Sequence, residues 1–406
     1  MSGAGGFGQR HAPPLPPVPP ALLEVPRRRG SRAFTVVLTV ALLIGSAVMA
    51  LVLLASNAPG ALVIGVLLAV LPVGPVIAAF LWLDRYEPEP VRLLALAFAW
   101  GAVVATAGAL VLQAADQFVL GTTPSASAAI VAPLTEELFK GLFVVLLVWS
   151  RRQAIDGVLD GLVYAGLVGV GFAFTENILY LGAAYVGGDG VGPGGLGSAI
   201  GVFVVRGIFS PFAHPLFTAF IGVGVGYAVV SRSPLRWLAP VLGYVVAVAA
   251  HAAWNGSAYI GGGRYFVLTY FFAMVPAFLV VVAFAIWVRN REAAMLTRAL
   301  GDAAARGFLG PAEVPWLVRI PARRACRRYA RAVGGKAAER VMREYQQQAI
   351  ELGFLHDRYL RGTAPDDFVE RGNAMVQRLT QPDQGADHRG GAVGVHRMPP
   401  EGGYMT

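Results

Sequence analysis

The segment APLTEELFKG, residues 132–141, places three charged residues inside an apolar run of residues 125–149. On a helix, Glu136 and Glu137 lie four and three residues before Lys140, so either carboxylate can reach its ammonium group. A charged side chain at the centre of a membrane helix costs about 2.5–3.5 kcal/mol on insertion scales, so all three need partners. Lys140 can therefore neutralise one glutamate, and the other needs a different partner. The alternative is a self-paired ion cluster that helps two helices pack.

Two later apolar runs contain further polar groups. The segment GVGFAFTENILY, residues 169–180, carries Glu176 and Asn177. His214 follows in SPFAHPLF, and His251 and Asn255 are one helical turn apart in HAAWN. At about 1.5 Å per residue, Glu136, His214 and His251 fall near mid-membrane and Glu176 somewhat toward the outer side. Histidines beside carboxylates at membrane depth favour function over core packing.

Carboxylates and imidazoles at one depth can activate water, either directly or through a bound zinc ion, and can stabilise an oxyanion. The sequence contains no HExxH helix and no GxSxG nucleophile motif. Zincin-type and serine mechanisms therefore have no support.

The composition indicates a multi-span membrane protein. Hydrophobic residues make up 56% of the 406 residues and charged residues only 14%. The net charge of +9 does not indicate a nucleic-acid partner, because the arginines flank apolar runs, where they orient helices. The single cysteine, Cys326, excludes an internal disulfide.

We therefore predict an all-α polytopic bundle of about eight transmembrane helices with a small helical cytoplasmic C-terminal module. The two longest runs should tilt or contain a break, and Pro211 and Pro215 interrupt the second of them. Arginine-rich connectors alternate with arginine-poor ones, which places both termini in the cytoplasm. The predicted spanning runs are residues 34–55, 61–83, 93–114, 125–149, 157–185, 201–230, 237–257 and 265–288.

The chain divides into four predicted regions. Residues 1–32 form a disordered Pro- and Arg-rich cytoplasmic arm, and residues 33–288 form the transmembrane domain. Residues 289–380 form the helical cytoplasmic module, and residues 381–406 form a disordered tail.

The polar motifs together resemble the PrsW family of bacterial membrane proteases, which is distantly similar to CAAX prenyl endopeptidases and bacteriocin-processing proteases. The resemblance covers residues 60–288. It is carried by DRYEPEP (84–90), EELFK (136–140), GFAFTEN (171–177), HPLF (214–217) and HAAWN (251–255).

The resemblance implies an intramembrane protease in a bacterial cell membrane, which cleaves a single-span protein such as an anti-sigma factor. It implies that Glu136 or Glu137 is the general base and that the other pairs with Lys140. It further implies that His251 and Asn255 hold the oxyanion or a ligand site and that His214 holds the water or a metal.

A zinc ion would be held by His214, His251 and one of Glu176 or Glu137, with a fourth position open. Glutamate and histidine catalysis without metal would use the same residues. The main rival function is a proton-coupled transporter or channel, in which these groups relay protons. A catalytically inactive scaffold is a third possibility, against which the intact motifs argue.

Overall fold

The computed structural model describes residues 32–380, apart from 57–58, 87, 152–153, 189–191, 261–262 and 366. The arm predicted for residues 1–32, except Arg32, and the tail predicted for 381–406 lie outside the described residues. Within them every regular element longer than a single bridge is a helix, as predicted. The helices are α1 Arg32–Ser56, α2 Pro59–Val70, α3 Val73–Leu83, α4 Val91–Ala99, α5 Thr106–Leu120, α6 Pro124–Ala126, α7 Ala132–Ser150, α8 Val158–Val186, α9 Gly195–Phe203, α10 Ala213–Val230, α11 Leu238–Tyr259, α12 Arg264–Thr269, α13 Val275–Ala305, α14 Val314–Val318, α15 Ile320–Leu360 and α16 Phe368–Thr380.

Seven helical stretches of the described chain are long and apolar enough to span a membrane. The helix α7 is not one of the seven, because Glu136, Glu137 and Lys140 give it three charged residues. The eight predicted runs correspond to these seven stretches and α7. The protein is therefore a multi-pass membrane protein built as a helical bundle.

The described residues contain four π-helical turns, three within the spanning stretches and one directly before α7. They are Trp100–Ala105, Ser127–Val131, Val204–Phe209 and Tyr270–Met274. Such turns are rare and frequently occur at functional sites. Two of them directly precede helices that carry polar residues, since Ser127–Val131 leads into α7 and Val204–Phe209 comes shortly before α10.

The helix α8 lies at the centre of the bundle and packs against α2, α9 and α10. Small residues on its surface allow this close approach. A Cβ atom added to Gly161 would lie 2.2 Å from the carbonyl oxygen of Gly222, and one on Gly169 would lie 2.7 Å from the Cα of Pro215. These contacts hold α8 against the start of α10, which brings Glu176 beside His214.

The break predicted for one of the long runs occurs at Ser210–Phe212, between a π-helical turn and α10. Pro211 lacks the backbone N–H that a continuous helix requires there. The other long run forms the unbroken helix α8. The break starts a new helix at Ala213, so His214 lies in its first turn.

The described residues divide into two compact units. The membrane unit extends to Arg298 and includes Pro315–Arg324, and the second unit consists of Ala299–Val314 and residues 325–380. The second unit is helical, as predicted, and α15 breaks at Gly335, whose φ of 68° suits glycine. Its core includes Leu309, Ile350, Leu355 and Met375.

Candidate active site

The helix α7 presents both glutamates and the lysine on one buried face. Lys140 Nζ donates to Glu137 Oε1 at 2.8 Å and to Glu136 Oε2 at 3.3 Å. Glu137 and Lys140 are fully enclosed, whereas Glu136 retains 5% of its surface. The ammonium therefore contacts both carboxylates but offsets the charge of only one, and Glu136 is the more accessible of the two.

Side chains of α8 and α10 also contact Lys140. Its ammonium lies 3.8 Å from the centre of the Phe172 ring, whose negative face attracts a cation. His214 Nδ1 lies 3.1 Å from Lys140 Nζ. Because an ammonium group only donates hydrogen bonds, Nδ1 is the acceptor and the ring proton is on Nε2.

The other nitrogen of His214 faces Glu176. His214 Nε2 donates to Glu176 Oε2 at 2.7 Å. The histidine is thus held between the ammonium of Lys140 on one side and a carboxylate on the other. A carboxylate in this position fixes the tautomer and the orientation of a histidine ring.

His251 approaches the glutamates from α11. Its Nδ1 lies 3.0 Å from Glu137 Oε1 and donates to it, which leaves the lone pair of Nε2 unprotonated in the neutral ring. This Nε2 is buried, lacks a hydrogen-bond partner among the described residues and lies 3.7 Å from Glu136 Oε2. The ring stacks on Phe217 with centroids 4.7 Å apart, which fixes its plane.

Three donor atoms converge at this point. Glu136, His214 and His251 each place one possible ligand atom within 4.8 Å of the others. Two imidazoles and a carboxylate are a donor set that zinc accepts, and the unpartnered Nε2 of His251 fits a ligand position. Glu176, one of two glutamates assigned to a metal site from the sequence, lies on the far side of the His214 ring and contacts its other nitrogen.

Thr218 is a site residue that sequence reasoning missed. Its hydroxyl lies 3.0 Å from Glu137 Oε2 and 3.0 Å from the carbonyl oxygen of His214, so it donates to one of them at a time. When the hydroxyl points to Glu137, that carboxylate accepts from Lys140, His251 and Thr218. In the sequence, the position of Thr218 one helical turn after His214 is only a weak indication of a site residue, because threonine is common in membrane helices.

Arg206 is the second residue that sequence reasoning missed. It lies in the π-helical turn Val204–Phe209 and forms an ion pair with Glu176. Its Nε donates to Asn177 Oδ1 at 2.7 Å. The signal was present in the sequence, since Arg206 is a lone arginine within the apolar run 201–230.

Asn255 does not join the glutamates and histidines. Its side-chain amide donates to the carbonyl oxygen of Ala128 at 3.0 Å, in the π-helical turn that precedes α7. Although Asn255 follows His251 by one helical turn, this bond directs its amide toward the backbone. In this structure Asn255 anchors the start of α7 and contacts no donor atom of the site.

A second polar group lies in the connector 84–90, outside the spans. The backbone N–H of Glu89 donates to Asp84 Oδ2 at 2.8 Å, and Tyr164 donates to Glu89 Oε2 at 2.6 Å. Burial raises the pKa of Asp84 from 3.8 to about 7 and that of Glu89 from 4.5 to about 8. Both carboxyl groups therefore titrate near neutral pH.

Comparison with known proteins gives a consistent result. Residues 89–282 match the model of the PrsW family of intramembrane metalloproteases. A Protease PrsW from Geobacillus kaustophilus is 27% identical over 157 residues, which cover 38% of this chain and 63% of that protein. The Protease PrsW of Bacillus subtilis is 25% identical over 174 residues, covering 42% of this chain and 72% of that protein.

A third similar protein, the Protease PrsW of Oceanobacillus iheyensis, is 34% identical over 95 residues, or 23% of this chain and 37% of that protein. The matched region thus spans less than two thirds of two of the three relatives. No solved structure matches this chain.

Proposed function

Residues 89–282 belong to the PrsW family of intramembrane metalloproteases, and from this premise we propose that the protein hydrolyses a peptide bond of a membrane-tethered protein inside the bilayer. The observation that supports this most is the convergence of Glu136, His214 and His251 at one buried point. A carboxylate and two imidazoles with an unpartnered lone pair are what water activation requires.

The two glutamates take different roles in this proposal. Glu137 already accepts hydrogen bonds from Lys140, His251 and Thr218, so it positions those groups. Glu136 has only the longer contact of 3.3 Å with Lys140 and faces both histidines. Glu136 is therefore the carboxylate placed at the reacting water: without a metal it would accept a proton from that water, and with a bound zinc ion it would be a ligand. Lys140 supplies a positive charge beside it.

We propose that the metal of this site is zinc, held by Glu136, His214 and His251. Zinc bound to three such groups lowers the pKa of a water molecule to near neutrality. The hydrogen bond from His214 Nε2 to Glu176 Oε2 would hold the imidazole ring in the orientation that a metal ligand needs. The ammonium of Lys140 lies beside two of these donors, so metal binding would require that it release His214 Nδ1 and Glu136 while it keeps its contact with Glu137.

The proposed substrate is a single-span membrane protein of the anti-sigma factor type, and the proposed location is a bacterial cell membrane with both termini in the cytoplasm. These proposals are supported by the family and by the positions of the arginines. The same groups could relay protons in a transporter. The similarity to proteins named as proteases favours hydrolysis.

The proposal is tested by reconstituting the full chain in liposomes with candidate single-span substrates. Wild type should release two fragments of one substrate, and Glu136→Gln should release about 10²-fold less at equal protein yield. Glu370→Gln, a change of the same chemistry at an exposed glutamate of the second unit, is the matched control and should cleave like wild type. Cleavage by Glu136→Gln at the wild-type rate would refute the assignment.

A further inference from the structure

The guanidinium of Arg206 bridges two adjacent residues of α8. Nε donates to Asn177 Oδ1 at 2.7 Å, while a terminal nitrogen donates to Glu176 in an ion pair. The same group lies over the Tyr180 ring, 4.1 Å from its centre. All three partners lie within about one turn of one helix, so the planar fork of an arginine engages that face at three points.

An arginine at this depth is costly. Placing one in a membrane helix costs about 2.5–3.5 kcal/mol on insertion scales, and an apolar residue could fill the same position without that cost. Glu176 carries the same kind of cost. Helix packing alone does not explain the pair of Arg206 and Glu176 in an apolar environment, whereas the other contacts of Glu176 do.

The carboxylate of Glu176 has two partners of different kinds. It accepts from Arg206 on one side and from His214 Nε2, at 2.7 Å, on the other. A carboxylate held by a guanidinium cannot rotate freely, so the acceptor seen by His214 is fixed. His214 then presents Nδ1 toward Lys140, at 3.1 Å, and toward Glu136.

We propose that Arg206 is a positioning residue of this site: it immobilises Glu176 and Asn177, and through Glu176 it sets the orientation of His214. The contribution of His214 to hydrolysis rests on the function proposed above. The arrangement from Arg206 to His214 does not. Lysine cannot replace arginine here, because a single ammonium cannot donate to Asn177 and Glu176 in the same fixed plane.

The experiment compares wild type with Arg206→Gln, Arg206→Lys, Glu176→Gln and the double variant Arg206→Gln/Glu176→Gln, each as the full chain. Arg264→Gln, at an exposed arginine that begins another helix, is the matched control. Two readouts are measured. One is kcat and KM for the cleaved substrate, and the other is the proton NMR signal of His214 Nε2–H in 15N-histidine-labelled protein, assigned by its loss in His214→Gln.

Arg206→Gln should lower kcat about 10- to 100-fold with KM within about twofold of wild type, the range typical for groups that orient ligand histidines. It should also move or broaden the His214 signal, and Arg206→Lys should do both to a smaller degree. The double variant should be no slower than Glu176→Gln alone, because the arginine acts through that residue. The double variant also removes both charges together, so it is the form to use if Arg206→Gln folds poorly.

Losses that multiply in the double variant would overturn the proposal, and so would a His214 signal that Arg206→Gln leaves unchanged. If wild type cleaves no substrate, the function proposed above fails, while the His214 signal still decides the role of Arg206. Arg264→Gln should match wild type in both readouts.

Discussion

The Nε2 atom of His251 lies 3.7 Å from Oε2 of Glu136 and lacks a hydrogen-bond partner among the described residues. Its Nδ1 is held by Glu137 at 3.0 Å. The two adjacent glutamates thus contact different nitrogens of one imidazole: Glu137 accepts from Nδ1 and orients the ring, whereas Glu136 faces the free lone pair of Nε2. This difference separates the two carboxylates experimentally.

Glu136→Gln should remove activity and leave stability near that of wild type, because only one contact of 3.3 Å is altered. Glu137→Gln should lower both, because an amide oxygen replaces a carboxylate that accepts from three groups. Thermal melts of detergent-purified protein, run beside the cleavage assay, measure the two effects. Equal melting temperatures for the two variants would contradict this division of roles.

Lys140→Met should impair folding as well as catalysis. The lysine is fully enclosed and contacts both glutamates, so its loss leaves buried carboxylates without a counter-charge. The yield of folded protein in the membrane fraction is the measurement. Adding Glu137→Gln to Lys140→Met should recover part of that yield, since one of the uncompensated charges is removed; no recovery would mean that the defect is not electrostatic.

Metal content should depend on both histidines of the site. His214→Ala and His251→Ala should each abolish stoichiometric zinc in purified protein, and a chelator should inactivate wild type reversibly. His356→Ala, which changes a histidine of the second unit, should retain the metal. Elemental analysis gives the result, and active wild type with less than about a tenth of an ion per chain would exclude the metal site.

Stability should fall as pH rises through the neutral range. The folded protein raises the pKa of Asp84 to about 7 and that of Glu89 to about 8, so it binds these protons more tightly than the unfolded chain. The free energy of unfolding therefore decreases from roughly pH 4 to pH 8. Asp84→Asn should flatten this dependence in melts at several pH values, whereas Glu370→Gln should keep the wild-type slope.

Reporter fusions test the orientation of the bundle. The alternation of arginine-rich connectors predicts that fusions at Gly190 and Ser257 report the outside and that fusions at Ser233 and Gly301 report the inside. An inside signal at Gly190 would reverse the fifth and sixth predicted spans. The shared depth of Glu136 and His214 would then have to be explained without the predicted topology.

Several features of this protein follow from the sequence alone, because they depend on local geometry. The high fraction of apolar residues predicts that the chain is a membrane protein, and apolar runs of about 20 residues predict its spanning helices. Positions three and four residues apart on a helix meet, so the contacts of Lys140 with Glu137 and Glu136 could be predicted. Counting residues along antiparallel helices also placed His214 and His251 at similar depth.

Only the tertiary structure decided which groups face one another across helices. Adjacent helix positions differ by about 100°, so a rotation of α7 by about that angle would exchange the surroundings of Glu136 and Glu137. The rotation of each helix is set by packing, such as the close approach of Gly169 to Pro215, which single-sequence patterns do not encode. For that reason the pairing of Glu176 with Arg206, and the turn of Asn255 toward the carbonyl of Ala128, emerged only from the folded bundle.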